Sequence, residues 1–170
     1  NQLLLKTIQR EHIDVNRINE VAPAVLTSLE TFDSISGIGF GNQALGEYVG
    51  YGYLLENGTK NLYGDVSNAE TKNIFVHSRL DETLKPVEEL GKTPNYDPRK
   101  RGWYQQALHD RKAIWTDIQP IPGKTDDNRL GILTGLALFD AQQQITGAAV
   151  SLLSLRSISQ FLESLKVSRT

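Results

Sequence analysis

YDPRKRGWY, residues 96–104, is the most informative stretch of this 170-residue chain. Asp97 is a residue type that caps helix N-termini and Pro98 suits a first helical position, so a short helix is predicted to begin here. The guanidinium of Arg101 offers a planar fork for both oxygens of a carboxylate. Trp103 and Tyr104 add donors on apolar bodies that shield such a pair from water. The stretch therefore predicts a carboxylate-binding site at a helix start.

Residues 1–32 predict a long N-terminal helix, because apolar residues recur in steps of three and four with one charged break at Glu11. The apolar positions are Leu4, Ile8, Val15, Ile18, Ala22, Val25 and Leu29. Pro23 lacks an N–H and predicts a kink or restart there. The stripe is long enough to pack on the chain's own sheet or on a second copy in a homodimer. Both alternatives stay open.

Residues 33–154 predict a single module built around a sheet. The predicted strands are residues 35–40, 47–55, 73–79, 114–121, 130–139 and 144–153, the last two joined by a hairpin. Residues 81–95 predict a loop with a helical turn, and residues 155–170 contain the apolar spacing of a C-terminal helix. Short connections between strands, with helices at both ends, predict an antiparallel sheet flanked by helices, an α+β fold.

Composition narrows the classes of partner. Apolar residues make up 39% and charged residues 22% of the chain, which is typical of a globular protein and not of a disordered one. The formal net charge of −2 gives no reason to expect nucleic acid as a partner. No apolar run approaches the roughly 20 residues that cross a bilayer. The chain has no cysteine, and its three histidines have no metal-ligand spacing, so we expect no metal, no cofactor and no enzyme activity.

The interval from Tyr96 to Arg101, followed by Trp103 and Tyr104 and preceded by Asp-Pro-Arg, resembles the ligand-binding signature of Cache domains. These are extracytoplasmic sensor modules of bacterial receptors, and the order of predicted elements is similar over nearly the whole chain. The resemblance implies a PAS-like fold in which Tyr96, Arg101, Trp103 and Tyr104 hold a carboxylate. The simpler alternative makes Trp103 and Tyr104 core aromatics and Arg101 a surface charge beside Asp97.

Two positions depart from the amino-acid-binding members of this family, in which aspartates on later strands hold the ligand's ammonium group. Alignment on Trp115 puts Gln119 at the expected Tyr and Ile121 at the expected Asp, while Ser151 stands at the second Asp. A buried ammonium without a counter-charge costs several kcal/mol, so a standard free amino acid is not expected. Gln119 and Ser151 are instead predicted to contact a small acid, and Asp117 would join them if a bulge turned it inward.

The resemblance thus implies a periplasmic or extracellular sensor module of a bacterial inner-membrane receptor, such as the ectodomain of a chemoreceptor, a cyclase or a histidine kinase. Its expected partners are a small organic acid, a second copy through the N-terminal helix, and the membrane only through segments outside this chain. Because the chain stops at Thr170, it is expected to be the membrane-distal module of a double Cache domain. The alternative is a dimerisation or protein-recognition module whose pocket is filled by its own side chains, Ile121 among them.

Overall fold

Antiparallel strands in one twisted sheet form the centre of the computed structural model, which describes residues 1–56, 58–121, 130–155 and 158–159. The strands are β1 (Gly37–Asn42), β2 (Tyr48–Glu56), β3 (Thr59–Ser67), β4 (Phe75–Leu80), β5 (Pro86–Thr93), β6 (Ile114–Trp115), β7 (Gln119–Pro120), β8 (Leu130–Phe139) and β9 (Ile145–Ser154). Their order is β5-β4-β3-β2-β1-β9-β8-β6, and β7 also pairs with β8. The predicted α+β, PAS-like fold is confirmed.

Side chains alternate between the two faces of this sheet, as the pleat of a strand requires. Ile38 and Phe40 of β1 belong to the apolar core on one face, together with Ala149 of β9. Ala148 and Val150 of β9 belong to a second core on the other face. The first core is covered by helices α1 (Gln2–Arg10) and α2 (Ile18–Thr31), and the second by helix α3 (Gly102–Asp110).

The predicted N-terminal helix is interrupted, but not at the predicted place. The break spans residues 11–17, where His12 has a φ of 53° and the Asp14 carboxylate accepts a hydrogen bond from the Asn16 N–H at 3.0 Å. A left-handed residue followed by an Asx turn ends α1 without any proline. Pro23 lies inside α2. The helix therefore does not restart at Pro23, whereas the predicted kink there stays a prediction.

The apolar stripe of these helices faces the chain's own sheet. Leu4 and Val25 have no exposed surface, Leu29 is 1% exposed and Ile8 is 3% exposed. All four belong to the core that also contains the sheet residue Phe40. The structure therefore supports packing of the stripe on the chain's own sheet, and a homodimer through the N-terminal helix stays a prediction. None of the helices in the described ranges combines the length and apolar character of a bilayer span.

Three strand predictions differ from the structure. β3 was not predicted, and β5 occupies part of the predicted loop at residues 81–95. The predicted strand at residues 114–121 is two short strands, β6 and β7. The hairpin between β8 and β9 is confirmed, and Asp140 accepts the N–H groups of Gln142 and Gln144 in its turn. Residues 155, 158 and 159 are helical, and the rest of the predicted C-terminal helix lies outside the described residues.

Candidate functional site

The stretch from Tyr96 to Tyr104 forms two successive turns. The Asp97 carboxylate accepts a hydrogen bond from the Arg99 N–H at 3.0 Å and caps a 3₁₀ turn at Pro98–Lys100. Arg101 then returns to an extended conformation, with φ −81° and ψ 141°. Its carbonyl oxygen accepts the N–H groups of Tyr104 and Gln105, each at 3.0 Å, which starts α3. The predicted cap at Asp97 is confirmed, but the α-helix begins one turn later than predicted.

The two arginines of the stretch have different surroundings. Arg99 donates from Nη2 to Asp97 Oδ2 at 2.8 Å and from Nη1 to the Gln43 carbonyl oxygen at 3.1 Å. The hydrogen bond from its guanidinium lowers the pKa of the Asp97 carboxyl group. Arg99 therefore forms a structural ion pair with Asp97. Within the described ranges, no carboxylate lies within ion-pair distance of Arg101, whose guanidinium is half-buried.

A cavity of about 60 Å³ lies between the sheet and the signature stretch. Its floor is formed by Gly37 and Gly39 of β1 and by Val150 and Leu152 of β9. Tyr96, Arg101 and Trp103 contribute to its walls. Three of the predicted ligand-binding residues therefore surround one space, which combines a cation with aromatic surface. Ile121 also lines the cavity.

Tyr96 is held by aromatic packing. Its ring centroid lies 4.7 Å from that of Phe75 and 5.8 Å from that of Tyr48, and the Arg101 Cζ lies 5.9 Å from the Tyr96 centroid. Burial raises the pKa of the Tyr96 phenol, although the positive charge of Arg101 opposes the change. The phenol stays neutral at physiological pH, so it can donate a hydrogen bond to an anion beside Arg101.

Tyr104 does not line this cavity. Its side chain is fully buried, and its hydroxyl donates to Gln43 Oε1 at 2.9 Å. Burial raises the pKa of this phenol as well. In its position Tyr104 is a core aromatic, which is the role that the simpler interpretation of the motif gave it. Trp103, by contrast, is 4% exposed and lines the cavity.

Ser151, Gln119 and Asp117, which were predicted to contact the ligand, lie elsewhere. Ser151 is on the side of the sheet that faces α1 and α2, where its hydroxyl donates to Asn1 Oδ1 at 2.7 Å. This follows from strand alternation, because its neighbours Val150 and Leu152 line the cavity. Gln119 donates from Nε2 to Thr116 Oγ1 at 2.9 Å, and Asp117 is exposed. None of the three lines the cavity, so their predicted ligand contacts are not supported.

The cavity nevertheless has a carboxylate, contributed by a residue that the sequence analysis missed. Asp65 of β3 lines it, as does Tyr63 two residues earlier on the same face. His77 of β4 is the cross-strand partner of Asp65, and its Nδ1 lies 2.5 Å from Asp65 Oδ1. Tyr63-Gly64-Asp65 has the Tyr-x-Asp spacing that was sought on a later strand. That spacing is the signal that could have found it.

Glycines on β1 and β2 make room for the tyrosines that surround the cavity. A Cβ at Gly39 would lie 2.1 Å from the Tyr48 hydroxyl oxygen, and one at Gly52 would lie 2.2 Å from the Tyr63 hydroxyl oxygen. The phenols of Tyr48 and Tyr63 therefore lie directly over backbone. The glycine-rich residues 37–41 are therefore closely packed within a strand.

Solved structures with the same architecture are ligand-binding domains of chemoreceptors. The ligand-binding domain of Mlp24 with asparagine has a TM-score of 0.55 and 18% identity, over 94% of this chain and 48% of that one. The ligand-binding domain of PctC from Pseudomonas aeruginosa PAO1 with GABA has a TM-score of 0.54 and 17% identity, over 97% of this chain and 56% of that one. The ligand-binding domain of Tlp3 from Campylobacter jejuni with 4-methylisoleucine has a TM-score of 0.52 and 16% identity, over 90% of this chain and 48% of that one.

This chain has the fold of a Cache-type sensor domain. It spans about half the length of the solved chains that it resembles, between 48% and 56% for these three. No family model and no curated protein matches it. Within this Cache fold, the residues of the stretch 96–104 have two different roles. Asp97, Arg99 and Tyr104 make hydrogen bonds that stabilise the local structure. Arg101 and Trp103 line the cavity.

Proposed function

We propose that this chain is the ligand-binding sensor module of a bacterial transmembrane receptor and that it binds a small ligand bearing a carboxylate. The observation that carries the proposal is the position of Arg101. Its guanidinium lines the cavity, and the described part of the chain supplies no carboxylate to pair with it. A half-buried cation gains from an anionic ligand, since charge-assisted hydrogen bonds are about twice as strong as neutral ones.

The neighbouring groups suit a carboxylate at Arg101. The Tyr96 phenol is neutral and close to the guanidinium, and Trp103 adds an apolar wall that limits access of water. Excluding water strengthens an ion pair, because the local dielectric constant falls. The asparagine, GABA and 4-methylisoleucine named for the neighbouring structures all carry a carboxylate. We propose that Arg101, Tyr96 and Trp103 hold the same group here.

The sequence-based exclusion of free amino acids rested on the absence of any carboxylate from the pocket. Asp65 lines the cavity and removes that reason. A free amino acid is therefore compatible with the groups that line the cavity. A simple organic acid requires only the Arg101 side of the cavity, whereas an amino acid requires an anion as well.

The two faces of the sheet suggest how binding would be transmitted. On β9, Val150 and Leu152 line the cavity, while Ala149 packs in the core beneath α1 and α2. A ligand that favours one arrangement of these strands changes the packing of both helices, provided that it binds the two arrangements unequally. We propose that the module lies on the periplasmic or extracellular side, as the membrane-distal half of a double Cache domain.

A thermal-shift and calorimetric screen with short carboxylic acids tests the proposal. Acids should raise Tm, since a ligand at 100 times its Kd stabilises the folded state by about 2.7 kcal/mol. Arg101→Gln removes the charge and the fork while keeping a long polar side chain. Losing one charge-assisted contact should cost about 1.5–3 kcal/mol, which is a tenfold to hundredfold loss of affinity.

The matched control is Lys100→Gln, which removes the neighbouring positive charge at an exposed position. It should bind acids as the wild type does, apart from a small long-range effect. If no acid raises Tm, or if Arg101→Gln binds as tightly as the wild type, the proposed function is wrong. The first of these results would favour the alternative, a dimerisation or protein-recognition module whose pocket is occupied by Ile121 and its other lining side chains.

A further inference from the structure

The cavity carries opposite charges on different elements. Arg101 reaches it from the start of α3, and Asp65 reaches it from β3. Both charges act on the phenol of Tyr96: the Arg101 cation favours its ionised form, and the Asp65 anion disfavours it. One small space is therefore flanked by a cation and an anion, and only a ligand with two charged ends could contact both of them.

Asp65 is held in place by a buried histidine. His77 is 1% exposed and the Asp65 side chain is 15% exposed. Because an ionised carboxylate only accepts hydrogen bonds, His77 Nδ1 must carry the proton that it shares with Asp65 Oδ1. His77 Nε2 is buried and has no hydrogen-bond partner in the described part of the chain. The Tyr63 ring packs edge-on against the imidazole with centroids 4.5 Å apart, which fixes the ring from a second side.

We propose that Asp65, positioned by His77, is a second ligand subsite that binds an ammonium or other cationic N–H group of the ligand. This inference rests on the proposed function, because it assigns the opposite end of the ligand from the carboxylate at Arg101. The ligand class is a short molecule with a carboxylate at one end and a cationic nitrogen at the other. Asp65 would supply the anion that the resemblance implied at positions 121 and 151.

The size of the cavity limits the length of that ligand. At about 10–15 Å³ for each buried water, 60 Å³ accommodates roughly four to six groups of that size. Glycine, β-alanine and GABA, together with acetate, propionate and butyrate, form three pairs of short acids that differ by one amino group. These pairs separate the two subsites, because only one member of each pair can use Asp65.

Calorimetric titration of the six probes against wild-type, Asp65→Asn and Arg101→Gln proteins tests the assignment. The wild type should bind at least one amino-bearing probe ten times more tightly than its partner. Asp65→Asn keeps the size of the side chain and should remove that preference while leaving binding of the plain acids within about twofold. Arg101→Gln should weaken both members of every pair. Glu70→Gln, which removes one negative charge at an exposed position, should change neither.

The outcomes separate this inference from the proposed function. If plain acids bind through Arg101 and no amino-bearing probe binds more tightly, the subsite at Asp65 is wrong and the proposed function stands. Equal weakening of both members of a pair in Asp65→Asn also overturns the subsite. If propylamine binds in an Asp65-dependent way while no acid binds, the subsite stands and the proposed function fails. Absence of binding by all of these probes overturns both.

His77 is a positioning residue in this proposal, and its test is the amino-group preference of two variants, only one of which keeps a hydrogen-bond donor to Asp65. Tyr63 and Asp65 face His77 from β3, and its cross-strand partner on β5 is Gly91.

His77→Asn keeps a donor close to the position of Nδ1. It should retain the preference, whereas His77→Leu should lose it. A purely structural role predicts a lower Tm for both variants with an unchanged preference. That result would overturn the positioning role.

Discussion

Two arginines separated by one residue illustrate how single side chains acquire different roles in this chain. Arg99 is bound to Asp97 and to the carbonyl oxygen of Gln43, so its charge stabilises the turn that precedes α3. Arg101 follows the 3₁₀ turn in an extended conformation, which directs it to the cavity. The ion pair at Asp97 thus fixes the backbone from which Arg101 projects. Fixing that backbone in advance lowers the entropic cost of binding.

Replacing Asp97 tests the contribution of this ion pair. Arg99 lowers the pKa of Asp97, so the pair stabilises the fold above the ordinary pKa of a carboxyl group and this stability is lost as pH falls through the lowered value. Asp97→Asn keeps the N-cap and removes the charge. Since Arg99 is 37% exposed, we expect a loss of only about 0.5–1 kcal/mol at neutral pH. Urea unfolding should show that loss at pH 7 and little of it near pH 2.

A second variant separates charge from capping. Asp97→Ala also removes the acceptor for the Arg99 N–H, and the loss of an N-cap costs about 1 kcal/mol at either pH. The two variants should therefore differ by a similar amount at both ends of the pH range. Equal stability of Asp97→Asn and wild type at pH 7 would mean that the ion pair contributes nothing to the fold.

The difference between local and distant residues explains which parts of the site the sequence revealed. Tyr96, Arg101 and Trp103 lie within eight positions, and their spacing alone predicted a common site, which the cavity supports. Tyr104 could not be separated from them, because the direction of its hydroxyl depends on Gln43, far away in the chain. Asp65 was missed because its partner His77 is twelve residues away and adjoins it only through sheet register.

Two of the strands, β3 and β5, could not be predicted from their amino-acid composition. β3 contains Asn61, Gly64 and Asp65, which are residue types that strands generally avoid, and so no strand was predicted there. β5 contains Pro86 and several glutamates, as an exposed edge strand often does. The pairing of these strands with their neighbours outweighs their weak individual propensity. The apolar strands β8 and β9 were predictable because their residue types, their apolar pattern and the connection between them all favour a hairpin of two strands.

Packing of β1 against β2 controls the shape of the cavity, and Gly39→Ala tests it. The new Cβ would lie 2.1 Å from the Tyr48 hydroxyl oxygen, so the Tyr48 ring must move. Tyr48 packs on Tyr96 with centroids 5.8 Å apart, and the shift should reach the carboxylate site. Overpacking of this kind costs about 1–3 kcal/mol. We expect that loss in urea unfolding, together with weaker binding of acids in calorimetry.

Gly102→Ala provides the control for that experiment. A Cβ at Gly102 meets no atom within 4 Å, and the residue is the first of α3. Alanine is the better helix former, so stability should stay equal or rise by a few tenths of a kcal/mol. If Gly39→Ala also unfolds like the wild type and binds acids normally, the Tyr48 ring is not confined by β1 in the way that the packing indicates.

For the whole molecule, the sheet separates two cores with different roles. The core beneath α1 and α2 is formed by aliphatic side chains and Phe40, whereas the core beneath α3 contains most of the aromatic residues around the cavity. The amphipathic stripe of residues 4–29 could be recognised from the sequence, but not the surface on which it packs. An apolar stripe has the same spacing on a sheet as in a helix pair, and only the fold decides between them.

Leu4→Ala tests whether α1 belongs to the core of one chain. Leu4 has no exposed surface and Leu3 is 38% exposed, so Leu4→Ala should cost about 2–4 kcal/mol and Leu3→Ala less than about 1 kcal/mol. Because the stripe packs within one chain, the loss should be independent of protein concentration. Unfolding followed over about a hundredfold range of concentration measures this, since the stability of a dimer rises with concentration. A concentration-dependent loss in Leu4→Ala would place the buried face of α1 at a contact between two copies and contradict its packing on the sheet.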